Sequence, residues 1–267
     1  MPERATLETL SIRLSADGFS FSIYNPISDN SIHYFDYKVD QALSLAANLK
    51  QAFKELDFLS RAYKRVNVIV VSKRFTLIPL ELFDDEMAET LFYYNHPVWD
   101  NEKVLYNILR KYGTVILFAF DKSVYTSIGE HYPDTKFYSQ SSSLIEYFSM
   151  KSRSGNTKKM YVYVHQNFID VYCFERGQLL LVNSFTCKQT EDRIYYLLYV
   201  WKQLNMDQLR DELNLTGELP DKEQLIKGLQ RFVQQVFVIN PSADLAQSAA
   251  FNIEKVPFDM QILLSND

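Results

Sequence analysis

Residues 10–39 read LSIRLSADGFSFSIYNPISDNSIHYFDYKV, and residues 160–187 read MYVYVHQNFIDVYCFERGQLLLVNSFTC. In the first stretch Ile12 and Leu14, then Phe19, Phe21 and Ile23, alternate with polar residues, the period of two that half-buried strands show. Ala16-Asp17-Gly18 interrupts it as a turn, and residues 26–30 form the next. The second stretch repeats the plan of strand, turn, strand, turn, strand. A long amphipathic segment follows each copy. From Asp40, which reads as an N-cap, Leu45, Leu49, Phe53, Leu56, Leu59 and Tyr63 recur at helical spacing for about six turns. After a cap at Thr190, Ile194, Leu197, Leu198, Trp201 and Leu204 do the same.

Between the copies, residues 66–71 and 74–78 read as strands, and Asp84 opens a helix carrying Met87, Leu91 and Phe92. Residues 101–111 are expected as a second helix. The apolar run within 114–120 predicts a strand covered on both faces. Asp121 caps another helix, 135–138 reads as a short strand and 142–150 as a helix. KSRSGNTKK, residues 151–159, has the composition of a linker. Beyond the second copy a helix starts at Asp221, with Gln224 placed as in a capping box, and residues 235–240 form a closing strand. Strands alternating with helices predict an α/β fold. The repeat divides the 267 residues into lobes at 1–152 and 153–267.

The net charge of −5 has both signs interspersed, which gives no field to attract a phosphate backbone, so nucleic acid is not an expected partner. MPERATLETLSIRL lacks the apolar stretch of a signal peptide, and the longest apolar run without tyrosine, 115–120, is far too short to span a bilayer; a cytoplasmic protein is expected. Cys173 and Cys187 fall on neighbouring strands of the second copy and could in principle meet. A reducing compartment and strand burial favour two inert core thiols.

Few motifs carry chemistry. His33, His96, His131 and His165 are scattered without metal-ligand spacing, so no metal is expected. There is no GxSxG, GxxxxGK[ST] or GxGxxG. Asp84-Asp85 suits a helix N-terminus better than an acid–base pair. The chain holds 18 Tyr, 19 Phe and 2 Trp against 7 Gly. Tyr161, Tyr163, Tyr172, Tyr195, Tyr196 and Tyr199 are read chiefly as core, with the remainder open to a protein-binding face.

A meander of three strands followed by a long helix, given twice, resembles the actin-like ATPase superfamily, in which each of two lobes is built on a ribonuclease-H-like core. In particular the chain is similar to a family of uncharacterised Bacteroidetes proteins assigned that fold. The resemblance implies two ribonuclease-H-like lobes, each a mixed sheet flanked by helices, and a nucleotide cleft between them. Its phosphate motifs do not carry over. Where the superfamily has an Asp and, two residues on, a Gly in the first phosphate loop, this chain has Arg13 and Ser15. An Arg offers donors only and cannot serve a hydrated Mg²⁺. Asp17-Gly18 reads as a hairpin turn. In the second loop only Asp170 matches, and His165, Gln166, Asn167, Phe168 and Ile169 stand where glycines would let backbone amides wrap a phosphate. The paired glycine of the adenosine motif is replaced by Asn240-Pro241.

A bacterial, non-catalytic actin-like binding or scaffold protein with a degenerate nucleotide site is therefore expected, with a protein or peptide partner and no cofactor. Its ligand cleft would be lined by Arg13, Ser15, Asp17, His165, Gln166, Asn167, Asp170 and Asn240. The alternative is a nucleotide-binding protein, a slow ATPase or phosphotransferase, taking ATP and Mg²⁺ in an unorthodox cleft with Arg13 neutralising phosphate directly. A ribonuclease-H-like nuclease would need several acids on the core strands, which this sequence lacks.

Overall fold

A computed structural model of the chain describes residues 7–16, 18–25, 31–240 and 256–265. Alternation builds the first meander as predicted. Strands β1 (Thr9–Ser15), β2 (Gly18–Asn25) and β3 (Ser31–Tyr37) pair antiparallel, with Ile12 opposite Phe21 and Phe21 opposite Phe35. The chain then returns through a helix so that β4 (Arg65–Val70) lies parallel to β1, and β8 (Lys136–Ser139) lies parallel to β4. The sheet order is β3-β2-β1-β4-β8.

The helix after the meander, α1, is shorter than the periodicity predicts: it spans Leu45–Glu55, with Ser44 as N-cap accepting from the Ala47 N–H. Asp40 is not the cap. Its N–H donates to the Asn48 side chain at 2.7 Å, the Asn48 amide donates back to its carbonyl at 3.0 Å, and its carboxylate takes the Ala42 N–H. These bonds hold a turn ahead of the helix. Beyond Leu56 a 3-10 turn, Asp57–Ser60, takes over. The spacing persisted in sequence because that turn keeps Leu59 fully buried and brings Phe58 onto Phe35 and Phe21, at ring distances of 4.7 and 5.9 Å.

An antiparallel sheet in the order β5-β7-β6 is inserted between β4 and β8: β5 (Phe75–Pro79), β6 (Glu102–Leu109) and β7 (Thr114–Asp121). Here the expected helix at 101–111 is corrected. Residues 102–109 are a strand, because β7 is buried and its backbone groups need ladder partners on both edges. Helix α2 (Ala88–Asn95) follows a 3-10 turn capped by Asp84. It packs Ala88 and Phe92 against Val104, Val115 and Leu117. Helix α3 (Lys122–His131) starts at Asp121, whose carboxylate accepts from the Val124 N–H at 2.9 Å.

After α4 (Gln140–Lys151), β9 (Lys158–Val164), β10 (Phe168–Glu175) and β11 (Gln178–Thr186) repeat the meander. Strands β12 (Glu212–Gly217) and β13 (Gln235–Val238) then add in parallel, giving β11-β10-β9-β12-β13. Helices α5 (Thr190–Gln203) and α6 (Lys222–Gln230) cover one face, where Leu197, Val200, Trp201, Leu225 and Leu229 pack on Met160, Val162, Val171 and Leu213. The other face carries the tyrosines: Phe148 of α4 stacks on Tyr161 at 4.5 Å and meets Tyr172 at 5.3 Å. Tyr161, Tyr163 and Tyr172 are buried, Tyr196 packs on Phe185, and Tyr195 and Tyr199 are exposed.

Two caps differ from expectation. The N-cap of α5 is Gln189, not Thr190; the Thr190 hydroxyl donates instead to Asp221, while Asp192 accepts from the Gln189 N–H. Gln224 forms no capping box and donates to Glu191, tying α6 to α5. Both cysteines are buried and unbridged, and burial pushes the Cys173 thiol far above its ordinary range.

Two compact units result, and the division between them falls inside α4, after Ser143. The polar stretch 151–159 is tied into the second unit. Ser152 is fully buried and accepts from the Gly177 N–H, and the Lys158 N–H donates to Asp211. The C-terminal helix α7 (Phe258–Ser265), buried nearly all round, belongs to the first unit and lies against β1.

Candidate functional site

In the first unit the two sides of β1 differ. Leu10, Ile12 and Leu14 project to one face, and Ser11, Arg13 and Ser15 to the other. Arg13 Nε lies 2.9 Å from both carboxylate oxygens of Asp259 on α7, with side-chain exposures of 11% and 1%. Across the sheet from Arg13, Ser20 and Asp36 bond each other at 3.2 Å, and the Tyr34 hydroxyl donates to Asp36 while its oxygen lies 3.1 Å from the Ser20 hydroxyl. Burial, aided by Asp36, raises the Tyr34 phenol well above its usual range, against a lowering pull from Arg13. The guanidinium expected to face a phosphate is thus engaged in an internal ion pair. Asp17 lies outside the described residues.

Ser15 sits at the mouth of a cavity of about 380 Å³ at the carboxyl ends of β1 and β4, the edge at which open α/β sheets place ligands. Leu14, Val70, Ala119 and Phe120 make its walls apolar, and Ser15, Ser72 and Asp121 contribute polar groups. Arg74 is the one cation among its described lining residues. It is held by Glu102 at 2.9 and 2.7 Å and by the Pro97 carbonyl, and it lies 3.8 Å from the centre of the Trp99 ring. Its charge is neutralised before any ligand arrives.

The second unit carries the other candidates. His165 follows β9 and is only 5% exposed. Its ring stacks on Phe168 at 3.9 Å and meets Tyr163 edge-on at 4.3 Å. Nε2 lies 2.8 Å from one carboxyl oxygen of Asp170. The other oxygen of Asp170, which is fully buried on β10, accepts from Ser184 on β11. At the turn between β9 and β10 the His165 N–H donates to Phe168 O at 2.9 Å. Gln166 and Asn167 are exposed at the tip, but their carbonyls are taken by Arg193 and by the Cys187 N–H. This turn is closed on itself, with the imidazole packed between Phe168 and Tyr163. Asn240, exposed after β13, lies apart from the His165 group in the strand order.

Sequence reading missed three residues. Asp259 was hidden in an apolar C-terminal run, 246 positions from its partner. Gly217 ends β12 at φ +93°, where an added Cβ would lie 2.3 Å from the Val164 carbonyl; the Thr-Gly-Glu at the strand end was the available signal. Asn107, on the strand taken for a helix, links β6 to β8. Among the described residues no group of three or more His, Cys, Asp or Glu side chains is placed to hold a metal ion, and no helix is long and apolar enough to cross a membrane.

A five-stranded sheet in which a meander is extended by two parallel strands, present twice with helices packed on it, is the actin-like ATPase fold, and this protein is of that class. It is 60% identical to a Bacteroides thetaiotaomicron protein whose crystal structure is described as an actin-like ATPase fold of unknown function. The two match over 95% of this chain and all of that one, with a TM-score of 0.86. The chain belongs to the family described as "Protein of unknown function (DUF3822)", whose model matches residues 2–236. A structure of the PilM-PilN type IV pilus biogenesis complex is similar in fold, with a TM-score of 0.65 over 98% of each chain at 11% identity. No curated protein matches the chain.

Proposed function

We propose that the protein is a binding or scaffolding module that keeps the actin-like architecture without its ATPase chemistry. The observation that carries this reading is that both positions of the phosphate loops are spent on internal contacts: Arg13 on Asp259, and His165 on Asp170 and Phe168. A ligand phosphate would have to break a buried ion pair in the first unit or unpack a stacked imidazole in the second. Two reduced, buried cysteines fit action in the bacterial cytoplasm. A protein or peptide partner is supported by fold-level analogy, since PilM takes part in a complex with PilN.

Titration of the purified protein with ATP plus Mg²⁺ and with ADP, followed by heat and by thermal unfolding, tests the reading. No saturable heat and an unchanged midpoint at millimolar ligand are expected. A ligand present at a hundred times its dissociation constant would add about 2.7 kcal/mol of stability, which a melt resolves easily. Saturable binding would sink the proposal.

The cavity beside Ser15 favours one second reading, an unorthodox nucleotide site. That reading requires ATP affinity that Arg74→Ala, at the cation lining this cavity, abolishes.

A further inference from the structure

The outer edge of β6 has no strand partner among the described residues. Its available groups follow from the ladder. Ala119 on β7 directs its N–H to the Arg74 carbonyl on the β5 side. In an antiparallel ladder the N–H and C=O of one residue point the same way. Val104, opposite Ala119, therefore turns both of its groups away from β7, and Tyr106 does likewise. The Tyr106 carbonyl is taken by Asn107, which leaves the Val104 N–H and C=O and the Tyr106 N–H along the edge. The neighbouring edge, β8, is closed at this point: the Phe137 carbonyl accepts from the Asn107 amide at 2.8 Å, and the Ser139 N–H donates to it at 2.9 Å.

Between these edges lies a groove of about 430 Å³ running along β6, and its two sides differ. Asp85, Glu86 and Glu89, all exposed, line the side towards α2, the side on which Val104 packs. Leu105, Tyr125 and Phe137 line the opposite side, together with the stem of Lys103.

We propose that this groove takes an extended peptide as an added strand on β6, with alternate side chains basic and apolar. Successive residues of a strand point to opposite sides. One set would meet the three carboxylates, and the other would cover Leu105, Tyr125 and Phe137, while main-chain bonds to Val104 and Tyr106 fix the register. An exposed strand edge that is left uncovered is itself a docking template, and β6 carries a single lysine, Lys103, and no proline. The inference names a partner class and rests on the reading of the protein as a binding module.

The experiment is fluorescence anisotropy on the full chain, with a labelled octapeptide alternating arginine and valine as probe. Three control peptides accompany it: glutamate in place of arginine, the same residues in two blocks, and the alternating peptide N-methylated at every second residue along one edge. Saturable binding of the alternating basic peptide is expected, with N-methylation abolishing it and the other controls at least tenfold weaker. The double variant Glu86→Lys/Glu89→Lys, at exposed positions that leave the core intact, is expected to weaken binding about tenfold. Equal binding of the block peptide, indifference to N-methylation or to the double variant, or no binding would overturn the proposal. That outcome would leave the binding-module reading standing, since the nucleotide titration tests it separately.

Discussion

Gly217 shows what one residue contributes here. Its positive φ and its approach to the Val164 carbonyl let β12 end against β9, and the Glu218 N–H then donates to that same carbonyl at 2.8 Å. Gly217→Ala adds a methyl into a backbone atom and strains φ together, so a loss of about 2–3 kcal/mol is expected in urea unfolding followed by circular dichroism. A loss below half a kcal/mol would show that the strand end relaxes freely. The Arg13–Asp259 pair illustrates the opposite kind of residue information. Arg13 announced itself by standing where the fold family has an acid, yet its partner could not be inferred, because an ion pair is specified by three-dimensional proximity and leaves no spacing in sequence. Asp170 was singled out as a lone match to a phosphate motif. Its neighbours make it the centre of a buried link between His165 and Ser184.

At the scale of elements, the two meanders were legible because alternation encodes a strand with one face towards a helix layer. Helix α1 was only partly legible: apolar spacing reports which residues are buried and is blind to whether a helix or a 3-10 turn buries them. The start of α1 is set by Ser44 and by the Asn48–Asp40 clasp. Ser44→Ala removes the acceptor for the Ala47 N–H and is expected to cost about 1 kcal/mol in thermal or urea unfolding. The same change at Asp40 should leave that cap intact, which distinguishes the observed start from the one periodicity suggests. Strand β6 was misread as a helix because its own side chains fit either structure. The requirement that decides it is imposed by β7, whose buried backbone must be paired on both sides.

For the whole molecule, three phenols of the first unit set its response to alkali. Burial raises Tyr63 to about 12 and pushes Tyr34 and Tyr132 further. Tyr63 donates to the Phe58 carbonyl at 2.8 Å and Tyr132 to that of Leu59, so both hold the 3-10 turn in place. Each phenol keeps its proton more tightly folded than unfolded. Their stabilisation is therefore complete below pH 10, where the unfolded phenol begins to titrate, and is lost as pH rises towards and past 12. Urea midpoints should fall steeply over that interval, with Tyr63→Phe flattening part of the slope. A midpoint independent of pH there would contradict the burial of these groups.

The sequence by itself determined the duplicated α/β plan, the strand-rich starts of both copies, most helix positions and the absence of glycine-lined phosphate loops. These are local properties, written in periodicity and in which residue types a tight backbone tolerates. Only the tertiary structure decided that α7 belongs to the first unit, that Arg13 is held by Asp259, that His165 closes its own turn, and that β6 presents an open edge beside three carboxylates. His165 meets Phe168 and Asp170 within five residues, where packing and not spacing closes the turn; the other three depend on groups brought together from more distant parts of the chain, and sequence separation carries no record of that meeting.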